Sequence, residues 1–160
     1  MDFEAGHEIF MFYGYRSNFE LFTFAGFTQQ NLDYDAFETT FHLPLPEHDP
    51  KHQEKITALK SSAMDGRGLR IRLSRDYFRQ KCLSDLMKSP LFIFVSIVAG
   101  SQEPKDIINY IKIRLTVLMK MALCKEDNDL PYKRQICRRL KLEEASICRD
   151  LISDIGRLLE

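Results

Sequence analysis

The sequence predicts an α+β fold with a short β-rich segment at the N-terminus and a mainly helical remainder. Of its 12 Phe and 6 Tyr residues, 12 fall within the first 41 positions, where short β-prone runs alternate with turn residues. From Asp49 onward, apolar residues recur three and four positions apart, the spacing of an amphipathic helix. A chain of 160 residues is long enough for one domain with a hydrophobic core and a small appendage.

Local patterns predict the elements of the aromatic segment. Residues 9–13 form a short apolar run, which predicts a buried strand. Ser17 is a suitable cap for a short helix over residues 18–24, and Gly26 is suited to end it. Residues 36–43 alternate loosely and include two threonines, which predicts a second strand. Prolines at 44 and 46 end that strand and begin a linker.

The sequence from residue 49 onward predicts several helices and one short extended segment. Asp49 caps the first helix, with Pro50 in its first turn, and residues 65–68 break it. Residues 69–73 alternate apolar and basic, residues 84–99 predict one buried helix, and Pro104 opens another. After a polar loop at 125–128, two helices are predicted, one from Pro131 and one from residue 142. The two clearest apolar stripes are Ile107, Ile108, Ile111, Leu115, Leu118, Met119 and Ala122, and Ile147, Leu151, Ile155 and Leu158.

Charge and hydropathy exclude several classes of partner. Lys+Arg and Asp+Glu are equal at 23 each, so no overall charge favours nucleic acid or an anionic membrane. The longest apolar run, residues 91–99, is far shorter than the roughly 18 residues that a membrane span requires. The acidic N-terminus does not resemble a signal peptide, so we expect a soluble protein of the cytoplasm, with the nucleus as a second compartment. One local basic cluster, interpreted as a solvated face, contains Arg67, Arg70, Arg72, Arg75, Arg79 and Lys81.

No metal site is predicted. His48 and His52 have the i, i+4 spacing of a helical metal clamp, but Asp49 and Pro50 between them favour a capping and surface role. The cysteines form no CxxC pair and fit no zinc spacing, so we expect buried free thiols in a reducing compartment. They are Cys82, Cys124, Cys137 and Cys148.

One segment resembles a known family. The pattern Phe12-Tyr13-Gly14-x-Arg16-Ser17-Asn18-x-Glu20-Leu21, followed by Ala25-Gly26-Phe27, is similar to the tyrosine end of SET-domain protein methyltransferases. Within that group it looks most like the actin-histidine methyltransferases, which carry a Rubisco-methyltransferase-type substrate-binding domain. The resemblance is specific from Asp2 to Phe27 and continues as a looser helical pattern. It divides the chain into the end of a SET domain, residues 1–43, and a helical substrate-binding domain, residues 49–160.

The resemblance implies roles for five residues. Tyr13 matches the catalytic tyrosine that orients the attacking nitrogen during methyl transfer from S-adenosyl-L-methionine. Ala25, Gly26 and Phe27 match residues on the adenine side of that cofactor, and Arg16 matches a residue of the substrate groove. Two departures are Ala25, where serine is common, and Tyr15, where a smaller residue is usual.

The residues taken by themselves leave simpler alternatives open. Tyr13 could be a core tyrosine with a satisfied hydroxyl. Arg16 could pair with Glu20 at i+4, and Asn18 could bond local backbone groups.

The resemblance also implies that the site is incomplete in this chain. The family's glycine-rich cofactor motif and Asn-His segment belong to sequence preceding Met1, so we expect no catalysis by the chain alone. The implied partner is a protein substrate, actin by resemblance, with histidine as acceptor and lysine as the alternative. A hypothesis of a different class is a non-catalytic protein-binding module. We also expect Phe10, Phe12, Phe22 and Phe24 to be partly exposed and to promote self-association.

Overall fold

The computed structural model describes residues 13–29, 32, 35–79, 81–123 and 132–159, and side chains from residue 134 onward in the last range. The described residues have the predicted α+β class and are mainly helical, with one two-stranded antiparallel sheet. Short 3₁₀ turns lie at Pro46–His48 and Arg157–Leu159. The elements are α1 (Asn18–Ala25), β1 (Ala36–His42), α2 (His52–Ser61), β2 (Gly68–Ser74), α3 (Leu83–Met87), α4 (Pro90–Ala99), α5 (Pro104–Ala122) and α6 (Tyr132–Gly156).

Helix α1 begins and ends where the sequence predicts. The Ser17 side chain accepts from the backbone N–H of Glu20, and the Glu20 carboxylate accepts from the Ser17 N–H at 2.8 Å. This reciprocal capping box satisfies two of the backbone donors that a helix start leaves free. Gly26 ends the helix in the left-handed region, with φ 77°. Of the strand predicted over residues 9–13, residues 9–12 lie outside the described residues, and Tyr13 is not in a strand.

The two predicted strands pair with each other. Their register runs from Ala36 opposite Ser74 to His42 opposite Gly68. Gly68 is required there, because a Cβ would lie 2.8 Å from the backbone oxygen of Phe41. The sheet therefore joins a strand within residues 1–43 to a strand within residues 49–160.

Helix α2 starts later than predicted. Asp49 precedes it, and its carboxylate accepts from the backbone N–H of Lys51 at 3.0 Å, so the helix begins at His52. Asp49 also pairs with Lys55 at 2.8 Å. Lys55 in turn donates to the backbone oxygen of Val98 at 2.7 Å, one of the carbonyls that the end of α4 leaves free. This bridge connects the start of α2 to the end of α4.

The prediction of one helix over residues 84–99 is wrong, because the chain breaks into α3 and α4. Ser89 has extended backbone angles, and its side chain caps α4 by accepting from the Phe92 N–H at 3.5 Å. Pro90 occupies the first turn, where its missing N–H costs no hydrogen bond. The two predicted C-terminal helices are also wrong as separate elements, since α6 is one continuous helix of 25 residues. Pro131 and the loop predicted at 125–128 lie outside the described residues.

The core lies where α4, α5 and α6 meet the inner face of the sheet. The α5 stripe is buried as predicted at Ile107, Ile108, Ile111, Leu115 and Ala122. In α6, Leu151 and Ile155 are completely buried. Each such aliphatic side chain stabilises the fold by about 1.5–3 kcal/mol relative to exposure. Further members of this cluster are Phe41, Leu73, Phe78, Leu91, Phe92, Phe94, Val95 and Ile147.

The cysteines differ from expectation. Cys148 is a buried free thiol as predicted, and burial raises its pKa to about 12. Cys82 and Cys137 are exposed, so the prediction that they are buried is wrong. Cys82 precedes the first residue of α3, Cys137 lies on an exposed side of α6, and Cys124 lies outside the described residues. In the described ranges, no helix is both long enough and apolar enough to cross a membrane.

Carboxylates neutralise much of the basic cluster. Arg70 contacts Glu38 across the exposed face of the sheet, and Arg72 contacts Glu20 at 3.1 Å. Arg75 is different, because its side chain is only 17% exposed and reaches α6. The cluster is therefore a solvated face at Arg70 and Arg72, as predicted, and a structural anchor at Arg75. The anchoring contacts of Arg75 are Glu143 at 2.8 Å, Asp150 at 2.6 Å and Ser146 at 3.1 Å.

Candidate functional site

The five residues to which the family resemblance assigns a role lie in α1 or next to it. Tyr13, Arg16 and Ala25 line one cavity of about 190 Å³. Phe27 does not line it but packs edge-on against the Tyr13 ring, with centroids 5.6 Å apart. Gly26 ends α1 beside them and contributes its backbone conformation. The turn before α1, the helix and its cap thus place all five residues in one neighbourhood.

A buried polar pair fixes α1 to the sheet. The Asn18 backbone N–H donates to Asp35 Oδ1 at 2.9 Å, and Asn18 Nδ2 donates to Asp35 Oδ2 at 2.8 Å. Asn18 also exchanges two bonds with the Gln29 backbone, at 2.9 and 2.7 Å. The sequence offered local backbone groups as the partners of Asn18, whereas its bonds go to the Asp35 carboxylate and to the more distant Gln29 backbone. These bonds position the site, because they hold the start of α1 against Asp35 and the chain after α1 at Gln29.

Glu20 is the electrostatic centre of the site. The Ser17 backbone N–H and hydroxyl both donate to its carboxylate, and Arg72 contacts it from β2. These bonds, the Ser17 backbone bond first, hold the pKa of Glu20 below its ordinary value. Arg16 lies 3.8 Å from the same carboxylate, which is the i+4 pairing expected from the sequence. Glu20 is thus ionised, and it draws the Arg16 side chain towards the first turn of α1.

Tyr13 sits at the rim of the cavity. Its side chain is 50% exposed, so it is not a core tyrosine. The chain turns tightly behind it, with Gly14 at φ 79° and the Arg16 N–H bonded to the Gly14 oxygen at 3.0 Å. A positive φ of this size favours glycine because it has no Cβ. The turn and the Phe27 ring together fix the direction of the phenol.

The cavity at Tyr13 does not enclose a nucleoside-sized ligand. A cavity of about 190 Å³ is smaller than the roughly 300–1,000 Å³ of typical small-molecule pockets. Gly26 and Phe27 lie outside it, and no described atom comes within 4 Å of the position that a Cβ on Gly26 would occupy. These residues can therefore form one wall of a larger site, and S-adenosyl-L-methionine does not fit within this cavity alone.

Sequence reasoning missed three residues that line the cavity: Glu20, Leu21 and Phe24. Helical spacing could have found them, since positions 20, 21, 24 and 25 share one face of a helix that begins at residue 18. Phe24 is 78% exposed, and Phe19 and Tyr15 are exposed nearby. The site thus lies beside a surface rich in uncovered aromatic rings.

His48 and His52 lie just before and at the start of α2. His48 is exposed in the turn before α2, and His52 is half-buried in the first turn of that helix. Among the side chains that the structure describes, no three His, Cys, Asp or Glu residues are grouped to hold a metal ion.

Comparison with known proteins adds no family assignment. No protein-family model matches the chain, and no curated protein is significantly similar to it. The resemblance to SET-domain methyltransferases therefore depends on the residues quoted for it and on how the fold arranges them.

Proposed function

We propose that this chain is the C-terminal portion of an S-adenosylmethionine-dependent protein-histidine N-methyltransferase of the SET class, with an actin-type substrate, and that it is inactive by itself. One observation carries the proposal. Tyr13, Arg16 and Ala25, whose roles come from separate positions of the family pattern, line a single cavity, and Phe27 packs on Tyr13.

In this proposal, Tyr13 holds the acceptor nitrogen. A phenol hydroxyl both donates and accepts hydrogen bonds, so it can orient an imidazole whose nitrogen must point its lone pair at the methyl donor. The cofactor, when bound, supplies a methyl group on a sulfonium sulfur. Arg16 and Glu20 are the two charged residues that line the cavity, and their opposite charges suit a neutral imidazole.

The small cavity supports the second part of the proposal. Because the cavity lined by residues 13–25 holds only about 190 Å³, we infer that the remaining walls of a cofactor site come from sequence other than these residues. In the family, that sequence carries the glycine-rich motif and the Asn-His segment. The first step of the test is to search the transcript and genomic sequence upstream of Met1 for an open frame that encodes both.

The decisive experiment uses Tyr13→Phe in the longer product. Loss of an orienting hydroxyl should lower the single-turnover rate about 100-fold, or about 2.7 kcal/mol at 1.36 kcal/mol per decade. Cofactor affinity by calorimetry should stay unchanged. Tyr15→Phe is the matched control, because this exposed neighbour does not line the cavity and the variant should retain full turnover. A Tyr13→Phe enzyme that is destabilised yet fully active would make the hydroxyl structural. Histidine and lysine acceptor peptides, assayed in parallel, separate a histidine methyltransferase from a lysine methyltransferase.

A second candidate function is a non-catalytic protein-binding module. Exposed Tyr15, Phe19 and Phe24 favour it, because uncovered aromatic rings typically contact a partner. A promoter and an in-frame stop codon directly upstream of Met1 would favour this module. Cofactor binding by a longer product would favour the methyltransferase.

A further inference from the structure

Strand β1 has one edge that β2 does not use. The Arg75 N–H donates to the Asp35 oxygen at 3.4 Å, and the Leu43 N–H donates to the Arg67 oxygen at 3.3 Å. Both bonds belong to the same antiparallel register as β1 and β2. Because hydrogen-bonded pairs alternate along such a ladder, the odd-numbered residues of β1 bond to β2. The backbone groups of the even-numbered residues therefore point to the opposite edge.

Two of these outward groups already have partners. The Ala36 N–H donates to its neighbour Asp35 at 2.9 Å, and the Thr40 oxygen accepts from Arg114 at 3.4 Å. Glu38 lies between them. Within the parts of the chain that the structure describes, neither its N–H nor its C=O has a partner, and the Thr40 N–H has none either. An unpaired strand edge of this kind is a template for another extended chain.

A groove of about 410 Å³ runs along this edge. Residues 37–40 all line it, and since successive side chains point to opposite faces, a cavity that touches all four lies at the edge of the strand. The opposite wall is formed by Lys141 and Glu144 of α6, and Phe19 lies at the rim. The Arg114 contact with Thr40 limits the groove at one end.

We propose that this groove binds an extended peptide segment of a partner protein, which adds to β1 as a third strand opposite Glu38. The free donors and acceptors have strand geometry, which matches a peptide backbone. Glu38 is exposed, so an extended chain can reach these groups.

The lining also defines the side chains that the segment carries. Arg70 is paired with Glu38, and Lys141 with Glu144 at 2.6 Å, so the groove has no uncompensated charge. A neutral residue is therefore expected opposite Glu38. The exposed ring of Phe19 provides apolar contact for a neighbouring side chain of the peptide.

The test selects a peptide and then removes one hydrogen bond from each side. A phage-displayed library of random short peptides is selected on the full chain, and the best peptide is synthesised. Glu38→Pro removes the outward N–H, which the β1–β2 ladder does not use, and an edge position tolerates proline. Glu38→Ala is the matched control, because it removes the ion pair with Arg70 and keeps the N–H. We expect Glu38→Pro to weaken binding about tenfold or more, and Glu38→Ala to bind within about twofold of the parent.

Two measurements keep the test decisive if Glu38→Pro does not fold. Scanning single N-methylations along the peptide should weaken binding sharply only at alternate residues, since only those face β1. Amide hydrogen exchange should be fast at Glu38 and Thr40 in the free chain and slow once the peptide is bound. The proposal is overturned if no peptide is enriched, if Glu38→Pro binds as tightly as Glu38→Ala, or if exchange at Glu38 is unchanged by the bound peptide. Protection of Glu38 that grows with protein concentration alone would assign the edge to a second copy instead.

Discussion

The Asp35 carboxylate holds Asn18 by both of its oxygens, one on the backbone N–H and one on the side-chain amide. Asp35 Oδ1 also accepts from the Ala36 N–H at 2.9 Å, at the start of β1. The Asp35 carboxylate is 2% exposed, so these donors have no water to replace it. One side chain therefore fixes the entry of both α1 and β1, and with them the cavity at Tyr13 and the groove at Glu38.

We predict that Asp35→Ala lowers the free energy of unfolding by about 3 kcal/mol, because it leaves buried donors of Asn18 and Ala36 unsatisfied. Asp35→Asn should cost less, since its remaining oxygen can keep the bond to the Asn18 N–H. Equilibrium urea unfolding measures both. Glu47→Ala, at an exposed position of a surface turn, is the control and should change stability by less than about 0.5 kcal/mol. Equal stability of Asp35→Ala and the parent would contradict the role given to this carboxylate.

The sequence predicts those features that depend on residues close together in the chain, and it does not predict those that depend on residues far apart. The Ser17 cap and the Gly26 end of α1, and the two strands, are set by neighbouring residues and agree with the sequence prediction, whereas the reciprocal bond from Glu20 to Ser17 was not predicted. The pairing between Asn18 and Asp35 joins positions 17 apart, and no local spacing identifies it. The same limit applies to the edge of β1, because the register of β1 on β2 decides which backbone groups stay free.

Two of the wrong helix boundaries, at Ser89 and at residues 142–144, have opposite causes. At Ser89, an apolar run on both sides hid a cap and a proline that begin a new helix. At residues 142–144, acidic residues resembled a helix start, but no glycine or proline interrupts α6 before Gly156, so the helix continues. Continuous propensity with a continuous apolar stripe outweighs a local start signal.

A second prediction separates two arginines of the basic cluster. Arg75→Met should lower the free energy of unfolding by about 2 kcal/mol, because it leaves Glu143 and Asp150 without their shared cation on a largely covered surface. Arg70→Met removes a similar cation from the same cluster, but Arg70 is 78% exposed, so the cost should be under about 0.5 kcal/mol. Urea unfolding at low and high salt measures both variants. If Arg75→Met lowered the free energy of unfolding as little as Arg70→Met, the contacts of Arg75 with α6 would add no stability.

A third prediction concerns alkaline stability. Burial raises the pKa of Cys148 from an ordinary 9.0 to about 12, with a smaller contribution from Glu144. Above pH 9, the unfolded chain therefore releases a proton that the folded chain retains. The free energy of unfolding should fall with pH through this window, by up to about 1.4 kcal/mol per pH unit from this thiol.

The part of the pH dependence that comes from Cys148 is measured by comparing two cysteine variants. Cys148→Ala should lose this part of the alkaline slope, whereas Cys82→Ala, which removes an exposed thiol, should keep it. Unfolding free energies measured between pH 8 and pH 10, about one unit either side of the ordinary thiol pKa, provide the test. If Cys148→Ala and the parent have the same slope, the buried thiol does not couple to folding in the way described.

The last prediction concerns the aromatic surface around α1. Phe24 is 78% exposed, and Phe19 on the same helix and Tyr15 just before it are also exposed, so the chain presents several rings to water in and beside α1. Contiguous apolar patches of more than a few hundred Å² on a monomer typically mark a contact surface. We expect the parent chain to self-associate at micromolar concentration in light scattering. Phe24→Ser should shift it towards monomer with little change in unfolding midpoint, because the ring has few folded-state contacts to lose. Ile113→Ser, which removes a 67% exposed apolar residue from α5, is the matched control and should leave the association unchanged. A monodisperse parent, or equal effects of the two variants, would show that the rings around α1 do not drive association.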